Sequence, residues 1–205
     1  MTTAGDQATG VPVSLYLDYA CPFCFVASER LERLAQRFDL DILWRFIEGH
    51  PETPTAGAPL PADSNERSET LVTMIHEDGL PWQPPAFRTN SRLALLLAQT
   101  VQLYRRERFS ALHQALFRAH FGQGRNLGDS ETVRSVAAEQ GVDDLVDTAW
   151  NTAEPIQVFL SHVEAAQELA ITSLPTLVVS ERVFPGAVSM DLLEQSLTQH
   201  YGAEG

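Results

Sequence analysis

One stretch holds both cysteines of the chain, and it reads Asp18-Tyr19-Ala20-Cys21-Pro22-Phe23-Cys24-Phe25. Before it, apolar residues alternate along the chain; after it, they recur every three or four residues: Val11, Val13, Leu15 and Leu17, then Leu31, Leu34, Ala35 and Phe38. Alternation is typical of a strand, and the longer recurrence is typical of a helix. The pattern therefore predicts a strand over 11–18 that leads into a helix over 24–38, with Cys21 at the helix N-terminus.

The spacing of the two cysteines favours thiol chemistry. A thiol attacks as its thiolate, and the start of a helix offers free N–H groups and a positive dipole end to a negative charge. Cys24 lies one turn further on, within reach of the Cys21 sulfur. Pro22 suits the first helical turn because it has no N–H to lose. We therefore interpret Cys21 as the exposed nucleophile and Cys24 as the more buried resolving thiol.

A structural role for the pair is the alternative. A disulfide that closes so short a loop would constrain the unfolded chain by only about 2 kcal/mol. A structural zinc site needs four ligands, and the sequence has no second cysteine pair and no close histidine pair. We therefore expect no metal. His113 and His120, which share one face of a predicted helix, are interpreted as packing or surface residues.

The composition limits the classes of partner. The 205 residues carry a formal net charge of −13, and all 14 basic residues are arginine. Such an acidic chain is a poor partner for nucleic acid or an anionic membrane surface. No apolar run is long enough to span a membrane, and residues 1–10 have neither a basic patch nor an apolar core typical of a signal peptide. We expect a cytoplasmic monomer or homodimer.

The rest of the chain predicts helices between two small groups of strands. Residues 40–46 predict a second strand, parallel to the first through the helix between them, and residues 48–61 predict a loop. Strand character returns only at 176–179 and 183–184. Predicted helices between these groups start near Asp63 to Glu66, Asn90 or Ser91, Phe109, Asp129, Asp143 and Pro155. A final helix, capped by Ser189, is predicted to face inward with Leu192, Leu193, Leu197 and Tyr201.

The chain between the second and third predicted strands, residues 47–175, is too long for a connection within one small sheet, where connections usually have about 2–6 residues. We therefore predict an α/β protein in three parts. Residues 1–10 form a polar leader, residues 11–48 and 171–205 form the α/β domain, and residues 49–170 form an inserted helical subdomain.

The motifs and their order resemble the DsbA-like branch of the thioredoxin superfamily, and more closely its FrnE-type dithiol-disulfide oxidoreductases. The resemblance covers roughly 11–201. Its most specific parts are the Cys21-Pro22-Phe23-Cys24 motif and Leu174-Pro175-Thr176, and softer parts are 90–94, 115–121 and 124–129. The resemblance implies an α/β thioredoxin-like fold with a large all-helical insertion between the β-α-β half and the C-terminal β-hairpin-helix half.

The resemblance also implies roles for individual residues. Cys21 would exchange disulfides with protein or peptide substrates and Cys24 would resolve the mixed disulfide, with a disulfide isomerase activity as an added capability. Pro175 would be cis and place the Leu174 backbone beside Cys21, so that Pro22, Phe23, Leu174 and Pro175 contact the substrate. No cofactor is expected beyond the redox pair, apart from a low-molecular-weight thiol such as glutathione as co-substrate.

Three residues near these motifs keep two interpretations each. Asp18 is either a proton acceptor or pKa tuner for Cys24, or only a cap of the strand-to-helix turn. Asn90 is either a helix cap or a contact for a bound thiol or peptide. Trp82 is either packing in the insertion or part of a substrate groove.

Two other functions stay open. The first is a glutathione-dependent isomerase or transferase of the 2-hydroxychromene-2-carboxylate isomerase or kappa glutathione transferase type. Those proteins resemble this architecture but place Ser where Cys21 stands. The second is a redox-gated binding module, in which the disulfide state controls a partner surface on the acidic insertion.

Overall fold

The structure is a computed structural model that describes residues 10–61, 64, 68–180 and 182–203, without the side chains of 199–203. The predicted polar leader lies outside these residues except for Gly10. In chain order the elements are β1 (Val11–Leu17), α1 (Pro22–Ala35), β2 (Leu40–Phe46), β3 (Ala58–Pro59), α2 (Glu69–Glu77), β4 (Phe87–Arg88), α3 (Arg92–Tyr104), α4 (Phe109–Phe117), α5 (Ser130–Glu139), α6 (Val146–Asn151), α7 (Ala153–Glu168), β5 (Thr176–Val179), β6 (Arg182–Pro185) and α8 (Met190–Ala203).

The main sheet has four strands in the order β2-β1-β5-β6. β1 and β2 run parallel, as predicted, whereas β5 is antiparallel to both β1 and β6. β1 is thus an inner strand, and Val11, Val13, Leu15 and Leu17 are all buried. The predicted hairpin near residue 180 is the β5–β6 pair.

α1 begins earlier than the apolar pattern predicts, at Pro22 rather than Cys24. Cys21 is the N-cap residue, with extended φ and ψ of −102° and 115°, and Pro22 occupies the first helical position. A proline fits there because that position has no intrahelical N–H bond to lose. The helix also ends earlier, since Gln36 is its C-cap. Cys21 therefore lies at the helix N-terminus, as predicted.

The segment between β2 and β5 is helical, with one exception that the sequence did not indicate. β3 and β4 form an antiparallel pair in which Ala58 faces Arg88. α2 begins at Glu69 with Ser68 as N-cap, so the predicted start near Asp63 to Glu66 is too early; Asp63, Asn65 and Glu66 lie outside the described residues. The helix predicted over 109–121 changes after Phe117 into a π-helical turn over Arg118–Gly122.

An aromatic cluster joins the sheet to the helical segment. Its centre is Phe117 on α4, whose ring lies 4.7 Å from that of Tyr19 and 5.3 Å from that of Phe25. His113 lies one turn earlier, with its ring 4.5 Å from that of Trp44. We define the aromatic cluster by its buried members: Tyr19, Phe25, Trp44, Phe46, Phe109, His113, Phe117 and Phe121.

Of the residues of α8 predicted to face inward, one is exposed and another lies outside the described side chains. On α8, Leu193 and Leu197 are buried as predicted, but Leu192 is 44% exposed. The side chain of Tyr201 is not among the described ones. Helical spacing does not decide this orientation, because residues at the margin of the apolar stripe can face either way.

No helix in the described part of the chain is long and apolar enough to cross a membrane.

Candidate functional site

The turn between β1 and α1 places Cys21 at the surface. The Cys21 N–H donates to the Asp18 carbonyl at 3.1 Å, and the Cys21 carbonyl accepts from Cys24 N at 3.0 Å. No side chain caps the helix N-terminus, and its first turn carries no acidic residue. The Cys21 sulfur, which is partly exposed, therefore meets the positive end of the helix dipole without a competing carboxylate in that turn.

Cys24 occupies an opposite environment, because its side chain is fully buried. Both cysteines are free thiols. The Asp18 N–H donates to the Cys24 sulfur at 3.5 Å. Burial raises the pKa of Cys24 well above its ordinary value, and hydrogen bonding to Cys21 and the charges of Cys21 and Asp18 raise it further. Cys24 therefore keeps its proton, and its thiol lies within hydrogen-bond reach of Cys21.

The second wall of the site comes from the start of β5. The Leu174–Pro175 peptide bond is cis, as the resemblance implies. The Cys21 thiol donates to the Leu174 carbonyl across 3.6 Å, a distance suited to a sulfur donor. The Leu174 backbone thus lies beside Cys21 although the two residues are far apart in the sequence.

Asp18 is 2% exposed and lies under the turn. One carboxylate oxygen accepts from Ala20 N at 2.9 Å, and the other accepts from Gly49 N at 2.7 Å. Burial raises the pKa of Asp18, while hydrogen bonds from Ala20, Ser91 and Gly49 oppose that rise. The cap interpretation is therefore realised, and the same residue also lies against the Cys24 sulfur through its N–H.

A cavity of about 550 Å³ opens beside Cys21. This volume is in the range of small-ligand sites. Its walls come from the turn before α1, the chain after β2, Arg88, the C-terminal half of α7 and the segment before β5. The lining residues include Asp18, Cys21, Pro22, Glu48, His50, Arg88, Gln167 and Leu174.

The chain over 47–57, which we name the cavity loop, is held mainly by hydrogen bonds to its backbone. The amide of Asn90 donates to the Thr53 carbonyl at 2.6 Å, and that of Asn126 donates to the Thr55 carbonyl at 2.8 Å. Gly128 lies so close that a Cβ there would be 2.4 Å from the Thr55 oxygen. A larger residue at 128 would therefore push the loop away.

The structure separates the predicted site residues into two groups. Cys21, Pro22, Leu174 and Asp18 line the cavity, whereas Phe23 and Pro175 are not among its lining residues. Phe23 is half-buried against the core, and Pro175 is buried. The substrate roles predicted for these residues stay predictions.

Three residues outside the motif also have defined positions. Asn90 accepts from Arg92 N at 3.1 Å as well as holding Thr53, so it acts as a cap and as a loop anchor. Trp82 stacks on Phe121 and is absent from the cavity walls, which contradicts a place in this groove. His113 and His120 are both buried, so they pack rather than lie at the surface.

Burial also sets the ionisation of these two histidines. It lowers the pKa of His113 to about 3 and that of His120 to about 4. Both imidazoles are therefore neutral near pH 7. In the described part of the chain, no group of three or more His, Cys, Asp or Glu residues is arranged to hold a metal ion.

The sequence analysis missed Glu48, His50 and Arg88. A signal for the first two exists: they follow the carboxyl end of β2, and the ends of neighbouring parallel strands meet at one sheet edge, where Cys21 also lies. Arg88 follows a proline-rich segment with no periodic pattern. Only the fold brings it to the cavity.

Comparisons with known proteins agree with this architecture. The curated protein YwbO of Bacillus subtilis (strain 168), described as uncharacterized, is 24% identical over 92% of this chain and 96% of its own length. Two solved structures share the fold. SCO1869 from Streptomyces coelicolor, described as a probable DsbA oxidoreductase, has a TM-score of 0.80 at 22% identity, over 94% of this chain and 90% of that one. A 2-hydroxychromene-2-carboxylate isomerase has a TM-score of 0.74 at 19% identity, over 94% of this chain and 97% of that one.

The family comparison is more specific than these structural likenesses. The model of the DSBA-like thioredoxin domain matches residues 12–198. The match covers the Cys21–Cys24 turn, the helical segment and the β5–β6–α8 end together. The predicted α/β thioredoxin-like fold with a helical insertion is thereby confirmed, and the chain belongs to the DSBA-like thioredoxin domain family.

Proposed function

We propose that the protein is a thiol-disulfide oxidoreductase of the FrnE type that exchanges disulfides with protein or peptide substrates through Cys21 and Cys24. One observation carries the proposal: a partly exposed Cys21 at a helix N-terminus opens into a cavity, while the free thiol of Cys24, one turn away, is fully buried and within hydrogen-bond reach of it. This difference in exposure supports Cys21 as the attacking thiol and Cys24 as the resolving thiol.

The proposed disulfide exchange has two steps. The Cys21 thiolate attacks one sulfur of a substrate disulfide, the substrate S–S bond breaks, and the other substrate sulfur leaves as a thiolate. Cys24 then loses its proton and attacks the Cys21 sulfur. This forms the Cys21–Cys24 disulfide and releases the second substrate thiol. The protein is oxidised by two electrons and the substrate is reduced; the reverse sequence oxidises a dithiol substrate.

Two cysteine variants test this assignment. We expect Cys21→Ser to abolish insulin reduction and the oxidative refolding of a reduced protein, because the attacking sulfur is gone. We expect Cys24→Ser to accumulate mixed disulfides, detected by mass spectrometry, because nothing resolves them. Equal activity of the wild type and Cys21→Ser in both assays would contradict the proposal.

Within the same proposal, Asp18 tunes Cys24. Its buried charge lies close enough to raise the pKa of Cys24, as burial and the bond to Cys21 also do. Asp18→Asn should therefore lower the pKa of Cys24, which an NMR titration of the labelled cysteine Cβ follows. Asp191→Asn removes the same charge from an exposed residue of α8 that does not line the cavity, and should leave the titration unchanged. An unchanged titration in Asp18→Asn would leave Asp18 as a turn cap alone.

A second candidate is a glutathione-dependent isomerase or transferase. The fold shared with a 2-hydroxychromene-2-carboxylate isomerase and the cavity of about 550 Å³ beside Cys21 favour it. The intact cysteine pair weighs against it, because that chemistry does not need a resolving thiol. Calorimetry with Cys21→Ser separates the two, since this candidate requires glutathione to bind without disulfide exchange.

A further inference from the structure

The walls of the cavity beside Cys21 contain two charged side chains of opposite sign, Glu48 and Arg88, together with Asp18 and His50. The question for any ligand is which of these charges is already neutralised by the protein. A neutralised charge adds little to recognition, whereas an unpaired one selects its opposite.

Each carboxylate at this cavity has its own donors. Glu48 pairs with Arg92, with 2.5 Å between the closest nitrogen and oxygen. Asp18 accepts from Ala20, Gly49 and Ser91. Both anions are therefore satisfied from within the fold and have little need of a ligand cation.

Arg88 differs from them. Within the described part of the chain, the hydrogen-bond partner of its guanidinium is Nδ1 of His50, at 3.4 Å. The same Nδ1 lies 3.0 Å from the Glu52 carboxylate. A ring nitrogen that donates its proton to Glu52 has no lone pair left to accept from Arg88. In that tautomer the half-buried guanidinium has no hydrogen-bond acceptor among the described residues. Glu52, whose pKa is lowered by a hydrogen bond from its own backbone and to a smaller extent by Arg88, is exposed to solvent.

We propose that Arg88 forms a carboxylate-binding subsite of this cavity, which selects thiols and disulfides that carry a carboxylate near the sulfur. This inference rests on the proposed function. A guanidinium presents paired N–H donors that match a carboxylate. The carboxylate comes either from a free low-molecular-weight thiol or from an acidic residue beside a cysteine in a peptide.

Oxidation of the reduced protein by a symmetrical disulfide RSSR measures what this subsite contributes to the reaction. The reduced protein and RSSR yield the Cys21–Cys24 disulfide and two RSH molecules, so the two protons of the dithiol end on the products. With R negatively charged, Arg88 contacts the ligand in the first attack, when the bond between Cys21 and one R sulfur forms. With R neutral, the same bonds form and break without that contact.

The test compares rates of oxidation of the reduced protein by dithiodipropionate, which is anionic, and by hydroxyethyl disulfide, which is neutral. We expect Arg88→Gln to lower the ratio of these two rates by about 10-fold, the size of one lost charge-assisted contact. The neutral probe serves as the internal control for folding, because it makes no charge-assisted contact with Arg88. Arg106→Gln removes the same charge from a 78% exposed side chain that does not line the cavity, and should keep the wild-type ratio.

The two probes distinguish a failure of the subsite from a failure of the proposed function. A ratio in Arg88→Gln equal to that of the wild type overturns the subsite. Failure of the wild type to react with either probe overturns the proposed function itself. A pair of disulfide-linked peptides, with Glu or Gln beside the cysteine, then identifies the source. A preference for the Glu peptide that is lost in Arg88→Gln assigns the subsite to peptides; equal peptide rates with an intact preference for dithiodipropionate assign it to a free thiol.

Discussion

The aromatic cluster and the cavity loop both contact the turn before Cys21, through Tyr19 and Asp18 respectively, and they are stabilised in different ways. In the cluster, aromatic rings pack against each other: the ring centroid of Phe117 lies 4.7 Å from that of Tyr19 and 5.3 Å from that of Phe25. In the loop, the main contacts run from side-chain amides to backbone carbonyls, as Asn90 does with Thr53. Stability and site shape therefore depend on different contacts here: ring packing in the cluster contributes mainly to the free energy of unfolding, and the amide hydrogen bonds of the loop shape the cavity.

The largest effect should come from breaking the cluster at its centre. Phe117→Ala removes a fully buried ring and leaves a cavity, which costs about 3–5 kcal/mol in the free energy of unfolding. Urea titration measures this loss. The rate with a neutral disulfide probe should stay close to that of the wild type, because no cavity residue changes. Leu192→Ala, at an exposed position of α8, is the control and should cost about 0.5 kcal/mol or less.

A smaller effect should come from the one imidazole inside the cluster. His113 has an ordinary pKa of 6.5, and burial lowers it to about 3 in the folded protein. As the pH falls below 6.5, the unfolded chain takes up a proton that the folded chain refuses. The stability from the neutral imidazole is thus complete above 6.5 and is lost as the pH falls toward 3.

His113→Leu should therefore flatten the fall of stability with pH by up to about 1.4 kcal/mol per pH unit between pH 6 and 4. Urea titrations across this range measure the slope. Tyr19→Phe is the matched control, because it removes the Tyr19 hydroxyl that bonds to His113 Nδ1 at 2.7 Å but keeps the imidazole. An equal slope in His113→Leu and the wild type would show that this histidine does not titrate on unfolding.

The smallest effect on stability, about 1 kcal/mol, should come from the loop. Asn90→Asp keeps the oxygen that caps Arg92 but loses the donor to the Thr53 carbonyl, which is one ordinary hydrogen bond. Hydrogen exchange of the loop amides should then be faster, by about 5-fold if local opening carries this loss. Asn90→Ala loses the cap as well and should be less stable than Asn90→Asp. Wild-type exchange in both variants would mean that other contacts hold the loop.

The sequence was sufficient for the parts of the fold that depend on local pattern. The β1-α1-β2 unit, the position of Cys21 and the Asp129 cap of α5 all follow from apolar spacing and capping residues within a few positions. Asp129, for example, accepts from Thr132 N at 3.1 Å, as an N-cap should. Such features need no knowledge of distant segments.

The sequence was insufficient where distant segments meet. Leu192 lies at the margin of its helical stripe, and only the packing of α8 decides that it faces solvent. The β3–β4 pair has two residues per strand, too few for any period. Arg88 reaches the cavity through that pair, so no local pattern could place it beside Cys21.

The contact between Cys21 and Leu174 has a consequence for the order of events during synthesis. These residues are 153 positions apart, so a ribosome that adds about 5–20 residues per second needs roughly 8–30 s to pass from one to the other. Over this interval the nascent chain already carries both thiols, but not the strand that will lie between β1 and β6. The cavity wall is complete only when the chain as far as Leu174 has emerged. The complete cavity around Cys21 is therefore a feature that the protein acquires late in its synthesis.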